Sequence, residues 1–408
     1  MSPPPSSPPV SLPKAGSPLS RQVLLQLESF CCHYSQRGPV ALVTSGGTMV
    51  ELDGVRHLEN FSSGQRGALS IEELLQRGYA VVHLWRKGST SPYGRVAQEL
   101  LGSNSVSVAA FSKLLDEPSD NDDDLLLNNS DPWLTEPPVS INPPSKKTDG
   151  FLELNRRLRH DEHLQRAWRE YQSNRQRLFV VEYLTVEEYL DRLQICAKML
   201  QTTAGALGLI YLAAAVSDFY LANKIENKIQ SSSEEFSLTL QPVPKVLGEL
   251  RSQWAPDAFV VSFKLETDPS LLHSKAEKAA RKYGVHMVVA NLLHNRHKEV
   301  QVFRPSTNHD IIKQWTTLHK TLSHCLESDL IDLVVQSHFT HLSQSNHYQK
   351  HSAVANYEKL RRREKELQRQ KFYQKLKKSA LDIGGTLLGI ALSYTISTIL
   401  AKRISQVR

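Results

Sequence analysis

Residues 207–216 form an almost unbroken apolar run, and this run constrains the fold of the chain more than any other feature. A short apolar run is typical of a β-strand that is covered on both faces, as in a parallel sheet with helices on each side. Further apolar runs occur at 40–43, 79–84, 258–263 and 285–290. Because segments with helical periodicity separate them, the sequence predicts an α/β fold, a three-layer, Rossmann-like and mostly parallel sheet flanked by helices.

The helical patterns lie between these runs. Apolar positions three and four apart predict helices over 64–77, 186–202 and 270–283, and Gly284 is the expected end of the last one. The remaining predicted elements are a short helix around Leu24 to Leu27, a polar helical stretch within 151–177, a strand at 178–183, an edge strand at 300–303 and helical segments at 308–336.

The organisation of the chain follows from changes in composition. Residues 1–20 hold seven prolines and predict a disordered leader, and the acidic stretch 115–150 predicts a disordered insertion within a catalytic domain over 21–340. A helical C-terminal extension follows, with a basic linker at 341–382. Residues 383–401 are uncharged and would span about 28 Å as a helix, so they are a candidate membrane anchor; an amphipathic or oligomerising helix is the alternative.

The net charge of +7 is concentrated in the C-terminal extension. Residues 359–378 contain ten Lys or Arg and two Glu, a local balance of +8, which leaves −1 for the rest of the chain. The catalytic domain therefore has no charge signature of a nucleic-acid-binding protein. The four cysteines have no metal-ligand spacing and predict free thiols in a reducing compartment, so we expect a cytoplasmic protein, with a membrane tether if the anchor forms.

Four segments lie at the carboxyl ends of predicted strands. They are 44–48, 213–219, 262–267 and 290–292. In a parallel sheet ligands bind in the crevice beyond the carboxyl ends of the strands, so these segments predict one shared site.

Two glycine-rich turns occur near the carboxyl end of the first predicted strand. Gly46 lies in a paired-glycine turn, and a second turn with Ser62, Gly64 and Gly67 opens a helix. Bare backbone N–H groups and a helix N-terminus stabilise phosphate oxygens. The alternative is that Ser62 or Ser63 simply caps the helix at 64–77. The turns match neither a dinucleotide fingerprint nor a Walker A sequence. Arg66 in the first helical turn opposes the helix dipole, which favours a role other than helix stabilisation.

Three charged residues are candidates for ligand contacts. Asp218 follows a run of small residues, where a ligand would approach the backbone closely, although these alanines would also fit under a helix. Lys228 and Lys278 are candidate phosphate-neutralising charges, and solvated surface lysines are the alternative.

The chain resembles a known family through seven motifs in a fixed order. These are Ser-Gly-Gly-Thr, Asn-Phe-Ser-Ser-Gly-x-Arg-Gly, Ala-Ala-Ala-Val-Ser-Asp-Phe, Lys-Ile-Gln-Ser, Val-Pro-Lys-Val-Leu, Ser-Phe-Lys-Leu-Glu-Thr and Val-Val-Ala-Asn. The family is phosphopantothenoylcysteine synthetase (phosphopantothenate–cysteine ligase) in its eukaryotic form, and the similarity covers about 39–93 and 178–304. The C-terminal extension has no counterpart in the motif set.

The resemblance implies a ligase of coenzyme A biosynthesis. The carboxylate of 4′-phosphopantothenate would attack the α-phosphate of ATP (or CTP), with Mg²⁺ on the triphosphate, and the amine of L-cysteine would then displace the nucleotide monophosphate. The implied nucleotide contacts are Gly46, Ser62, Gly64, Gly67, Phe263, Asn291 and Lys278. The implied substrate contacts are Asn60, Ala214, Ala215 and Asp218, together with Arg56, which would act across the interface of a homodimer.

This chemistry needs no protein nucleophile, because its barrier consists mainly of positioning two anions and stabilising charge at phosphorus. We expect Asn60 and Lys228 to be the catalytic residues; the metal ligands are not predicted. Two other classes remain open from the residues alone: a nucleotide-dependent oxidoreductase, and a catalytically idle membrane-associated scaffold on the same fold.

Overall fold

The computed structural model describes residues 17–96, 161–221, 228, 237–305, 314–321, 325–344, 366 and 373. Those up to 344 belong to one compact unit, Met1–Ala353, and the last two belong to a second unit, Val354–Arg408. The predicted acidic insertion, nearly all of the basic linker and the candidate membrane anchor lie outside the described residues. At the predicted leader, Ser17 donates a hydrogen bond to Oε1 of Glu188 at 2.5 Å, and Ser20 caps the first helix.

An eight-stranded sheet and two short ribbons contain the strands of the described fold. The strands are β1 (Val40–Ser45), β2 (Met49–Glu51), β3 (His57–Glu59), β4 (Ala80–Arg86), β5 (Leu178–Tyr183), β6 (Gly208–Leu212), β7 (Phe219–Tyr220), β8 (Gln241–Pro242), β9 (Phe259–Glu266), β10 (Met287–Leu292), β11 (Glu299–Phe303) and β12 (Trp315–His319). The large sheet has the order β12-β11-β10-β9-β6-β1-β4-β5. Its pairs are parallel from β10 to β5, and β11 and β12 add antiparallel pairs at one edge.

Helices cover both faces of this sheet. They are α1 (Arg21–Ser35), α2 (Gln65–Gln76), α3 (Glu162–Asn174), α4 (Val186–Ala204), α5 (Leu247–Glu249, continued by a π-helical turn, Leu250–Trp254), α6 (Pro269–Tyr283) and α7 (Leu326–Gln344). Helices α1, α4, α5 and α6 pack on one face, and α2 and α7 pack on the other. The predicted fold class, a three-layer and mostly parallel α/β sheet, is confirmed.

The sequence explains why these elements form where they do. Every residue of β1 is buried, as a strand covered on both faces requires. Helix α4 begins with a capping box in which Thr185 and Glu188 satisfy each other's backbone N–H groups. Helix α6 ends at Gly284, whose φ of 64° is a left-handed conformation that favours glycine.

Two expectations were wrong at the edges of the sheet. The stretch predicted to be helical at 308–336 contains strand β12, which pairs with β11, and helix α7 begins only at Leu326. Consequently β11 is not the edge strand.

The central strand β6 ends at Leu212, four residues before the end of the apolar run, because residues 213–218 leave the sheet to form a loop.

Candidate active site

The loop 213–218 is hydrogen-bonded along its length to the turn that follows β1. The backbone N–H of Ala215 donates to the carbonyl of Gly46 at 2.8 Å, and that of Thr48 donates to the carbonyl of Ala215 at 3.1 Å. The hydroxyl of Thr48 also accepts from the N–H of Ser217 at 2.8 Å. Two of the four segments predicted to converge are therefore joined directly at the carboxyl edge of the sheet.

Asn60 lies against this joined loop. It follows the β2–β3 ribbon, and its side-chain Nδ2 donates to the carbonyl of Val216 at 3.0 Å. A Cβ on Gly47 would overlap the carbonyl oxygen of Asn60, so only glycine allows this approach. The amide of Asn60 is thus fixed by one hydrogen bond, while its second amide hydrogen and its oxygen remain for other partners.

The second glycine-rich turn brings helix α2 close to the sheet. Gly64 adopts a φ of 78°, and a Cβ on Gly67 would overlap the Cβ of Ser45 on β1. Gly64 itself is the N-cap and has no side chain to cap the helix. Oγ of Ser62 accepts from the N–H of Gly64, and Oγ of Ser63 accepts from the N–H of Gln65, the first helical residue, both at 3.4 Å. Ser63, rather than Ser62, therefore contacts the first turn. The N–H groups of the first turn are the type of donor that binds an anion.

These segments enclose one cavity of about 1160 Å³. This volume slightly exceeds that of a typical small-molecule pocket, as a site for two substrates would. Nine of the predicted site residues line it: Asn60, Ser62, Gly64, Gly67, Ala214, Ala215, Asp218, Phe263 and Asn291.

The other four predicted residues lie outside the lining. Gly46, with a φ of 91°, packs where a Cβ would overlap that of Arg86. Arg56 forms an ion pair with Asp53 at 2.6 Å in the β2–β3 ribbon. Lys278 is exposed on α6, and Lys228 is exposed and stands between stretches outside the described residues.

Phe263 and Asn291 come from adjacent parallel strands. The ring of Phe263 meets that of Tyr211 edge-on, with centroids 4.9 Å apart. Asn291 is 6% exposed, and among the described residues its Oδ1 accepts no hydrogen bond. A buried amide oxygen without a partner is costly, so a ligand donor is a chemically suitable partner for it.

Charged residues around the cavity were largely missed by the sequence analysis. Lys245 lies 2.5 Å from Oδ1 of Asp218, and Lys264 lies 3.2 Å from Glu266. Both lysines sit inside motifs quoted for the resemblance, Val-Pro-Lys and Ser-Phe-Lys, which is the signal that would have found them. Five further basic residues, Arg66, Arg95, Arg296, His297 and Lys320, line the cavity with Glu327.

One Ser–His pair is present but lies outside the cavity lining. The hydroxyl of Ser45 is 2.7 Å from Nε2 of His83, and both side chains are buried beneath Gly67. Burial lowers the pKa of His83 to about 3, so the imidazole is neutral. This pair supports the packing of α2 on the sheet.

No group of three or more His, Cys, Asp or Glu side chains among the described residues is placed to hold a metal ion. None of the helices described is both long enough and apolar enough to span a membrane.

Known proteins are similar to this chain over most of its length. A family model described as the C-terminal domain of the DNA/pantothenate metabolism flavoprotein matches residues 36–98 and 181–337. A phosphopantothenate–cysteine ligase 2 from Oryza sativa subsp. japonica is 38% identical over 345 residues, which is 82% of this chain and 93% of that protein. A phosphopantothenate–cysteine ligase from Homo sapiens is 34% identical over 315 residues, covering 75% and 88% respectively.

A solved structure is similar over nearly the same region. It is a histidine-to-alanine mutant of Cab2 in complex with phosphopantothenate-cysteine, with 28% sequence identity and a TM-score of 0.59. The similarity covers 79% of this chain and 94% of that one.

Proposed function

The chain belongs to the phosphopantothenate–cysteine ligase family, and from this premise we propose that it joins 4′-phosphopantothenate to L-cysteine. In the first step the carboxylate attacks the α-phosphate of a nucleoside triphosphate, which we propose to be ATP, and pyrophosphate leaves. In the second step the cysteine amine attacks the acyl carbon and AMP leaves. The observation that carries the proposal is the convergence of nine site residues, from segments far apart in sequence, in one cavity.

Asn60 is the proposed catalytic group at the acyl carbon. Its side chain is held by Val216 and lies beside the backbone of loop 213–218. A neutral amide hydrogen stabilises charge that develops on the acyl oxygen without adding a charge that would retain the intermediate. Ala214 and Ala215 leave the backbone accessible to the same substrate, and we assign Asp218 to it as well.

The nucleotide is proposed to lie between the α2 turn and the ends of β9 and β10. Ser62, Gly64 and Gly67 offer hydroxyl and N–H donors for phosphate, and Asn291 offers a buried acceptor. Lys228, Lys278 and Gly46 stay predictions for the same ligand, because they lie outside the lining described.

Mg²⁺ is proposed to arrive bound to the nucleotide. The two carboxylates among the described lining residues, Asp218 and Glu327, are paired with Lys245 and Arg66 respectively. Magnesium in such enzymes is held mainly by substrate phosphates and water, so this site fits an ion carried by the substrate better than a resident one.

A homodimer is proposed from the β2–β3 ribbon, where Arg56 would reach the neighbouring subunit. Val55 and Leu58 in this ribbon are 64% and 47% exposed. Two large apolar side chains beside Arg56 are suited to a buried contact. Mixed dimers of Arg56→Ala and Asn60→Asp chains should recover part of the activity that each variant lacks; mixtures no more active than their components would exclude action across the interface.

The membrane tether over 383–401 and the cytoplasmic location also stay proposals, drawn from composition alone. Carbonate extraction of membranes from cells that express the full chain should leave it in the pellet. Its release would show that the segment is no anchor.

The activity is tested with the full chain and purified substrates. Pyrophosphate release should require phosphopantothenate and a nucleoside triphosphate, and amide formation should further require cysteine. Parallel assays with ATP and CTP decide the nucleotide. Failure to form the amide with either nucleotide would overturn the proposed function.

A further inference from the structure

One end of the cavity is strongly basic. Arg66 comes from the first turn of α2, Arg296 and His297 from the β10–β11 turn, and Lys320 from the residue after β12. Glu327, in the first turn of α7, is the nearby carboxylate. With His297 neutral, three positive charges therefore face one negative charge at this end.

Arg66 connects the elements that form this end. Its side chain is 17% exposed, and Nη2 donates to the backbone carbonyl of Arg296. Nη1 lies 3.3 Å from Oε1 of Glu327, yet it makes no well-directed hydrogen bond to any described residue. A cation in the first turn of a helix is disfavoured by the helix dipole, so this placement does not serve the stability of α2.

The surroundings reinforce the positive potential. Burial lowers the pKa of His297, and the charges of Arg296, Arg66 and Lys320 lower it further against the opposing effect of Glu327. The N-terminal residues of α7 line the same end of the cavity, where the helix dipole also attracts anions. Like charges gathered in a partly buried cavity are unfavourable unless an anion joins them.

We propose that Arg66, Arg296 and Lys320 bind the β- and γ-phosphates of the nucleotide and hold pyrophosphate as it leaves. The proposal rests on the proposed function. When the substrate carboxylate bonds to the α-phosphorus, the bond from that phosphorus to the bridging oxygen breaks, and its electron pair departs on pyrophosphate. Cations around the leaving group stabilise that charge as it develops.

The position of this end favours the nucleotide over the phosphate of phosphopantothenate. Arg66 belongs to the turn whose N–H groups and hydroxyls are suited to phosphate, on the α2 and α7 face of the sheet. Asp218 and Lys245, near the proposed acyl substrate, adjoin α5 on the other face.

The test measures binding of inorganic pyrophosphate to the full chain by calorimetry. Arg66→Gln and Lys320→Gln should each weaken binding about tenfold or more, as expected for the loss of a charge-assisted contact to phosphate. Each should raise the KM for the nucleotide similarly and that for phosphopantothenate less than about twofold. The matched control, Lys198→Gln, makes the same charge change on the exposed surface of α4. It should leave the pyrophosphate affinity and the KM for the nucleotide unchanged.

A fourth variant should change the affinity for pyrophosphate in the opposite direction. Glu327→Gln removes the carboxylate that pairs with Arg66, so pyrophosphate should bind a few-fold more tightly. Thermal unfolding of each variant identifies a folding defect; Lys320→Gln leaves the Arg66 contacts intact and keeps the test valid if Arg66→Gln fails to fold.

Three results would overturn the inference. The first is an unchanged pyrophosphate affinity in both Arg66→Gln and Lys320→Gln. The second is weaker pyrophosphate binding in Glu327→Gln. The third is that Arg66→Gln and Lys320→Gln raise only the KM for phosphopantothenate. The last result would assign this end to the other phosphorylated substrate. Because calorimetry needs no turnover, a chain that binds pyrophosphate as expected but forms no amide would refute the proposed function and leave standing only the assignment of this end as a diphosphate-binding site.

Discussion

Two buried polar side chains at opposite ends of the strands of the central sheet, His338 and Asn291, differ in whether the protein supplies their hydrogen-bond partners. At the amino edge, His338 donates from Nε2 to the carbonyl of Ala206 and accepts at Nδ1 from the hydroxyl of Tyr79, at 3.0 and 2.9 Å. At the carboxyl edge, Asn291 is also buried, but its Oδ1 accepts no hydrogen bond from any described residue. A polar group whose partners are all supplied by the protein contributes to stability, whereas one left open beside a cavity is suited to a ligand.

The amino edge is organised around a cluster of aromatic rings. Phe259 at the start of β9 contacts His286, His338 and His341, with ring centroids 4.8 to 5.6 Å apart. His286 accepts at Nδ1 from the N–H of Val260 at 3.0 Å. These contacts attach α7 to the sheet at the end that faces away from the proposed chemistry.

The largest effect we expect comes from Asn60→Asp at the carboxyl edge. The new carboxylate cannot donate to Val216 and repels the substrate carboxylate, so kcat for amide formation should fall about 10²- to 10³-fold or more. Thermal unfolding should show a folded protein. The measurement is the rate of phosphopantothenoylcysteine formation at saturating substrates.

The matched control makes the same change at an amide with protein partners. Asn174 at the end of α3 donates to the hydroxyl of Tyr93 at 3.0 Å and accepts from Arg177. Asn174→Asp should alter stability and leave kcat near the wild-type value. Near-normal turnover in Asn60→Asp would remove Asn60 from the catalytic step.

The sequence predicted the interior of the sheet well because burial on both faces leaves a clear apolar signal. The strand predicted at 178–183 is β5, Leu178–Tyr183, with the same bounds. The prediction failed at β12, Trp315–His319, whose residues are half-buried or exposed and whose strand conformation depends on pairing with β11.

The candidate site was predictable to the extent that motifs marked it. Glycine alone permits the conformation of Gly64 and the close approach of Gly67 to Ser45. The glycines in the sequence therefore indicated a tight turn close to the sheet. Gly46 carried the same signal, yet its conformation serves packing against Arg86, outside the cavity lining. The pairing of Arg66 with Glu327 joins residues 261 positions apart, which no local pattern reveals.

The second prediction concerns the pH dependence of stability at the amino edge. Burial lowers the pKa of His286 to about 3 and that of His338 to about 4. Above about pH 6.5 these rings are neutral in both the folded and the unfolded chain. As the pH falls from 6.5 towards 4, the unfolded chain takes up protons that the folded chain does not, so stability is lost, at up to about 1.4 kcal/mol per pH unit for each histidine.

Urea unfolding of wild type at pH 7 and pH 5 measures this loss. His338→Gln removes one of the titrating rings and should show a smaller difference between the two pH values, with an unchanged KM for the nucleotide. His163→Gln, a change at an exposed histidine of α3, should retain the wild-type difference. If His338→Gln kept the full difference, or altered nucleotide binding, the assignment of this edge to stability would be wrong.

The smallest effect is expected for the exposed ion pair at the carboxyl edge. Lys245 and Asp218 are 62% and 70% exposed, so their pairing should contribute less than about 1 kcal/mol to the free energy of unfolding. Asp218→Asn should nevertheless reduce kcat/KM for phosphopantothenate well beyond the effect of Lys245→Gln, because only the carboxylate is assigned to the substrate. A double-mutant cycle on both quantities separates the two roles. Equal losses of kcat/KM in the two single variants would mean that the pair acts as a unit. The Asp218 carboxylate would then have its partner within the protein and not on the substrate.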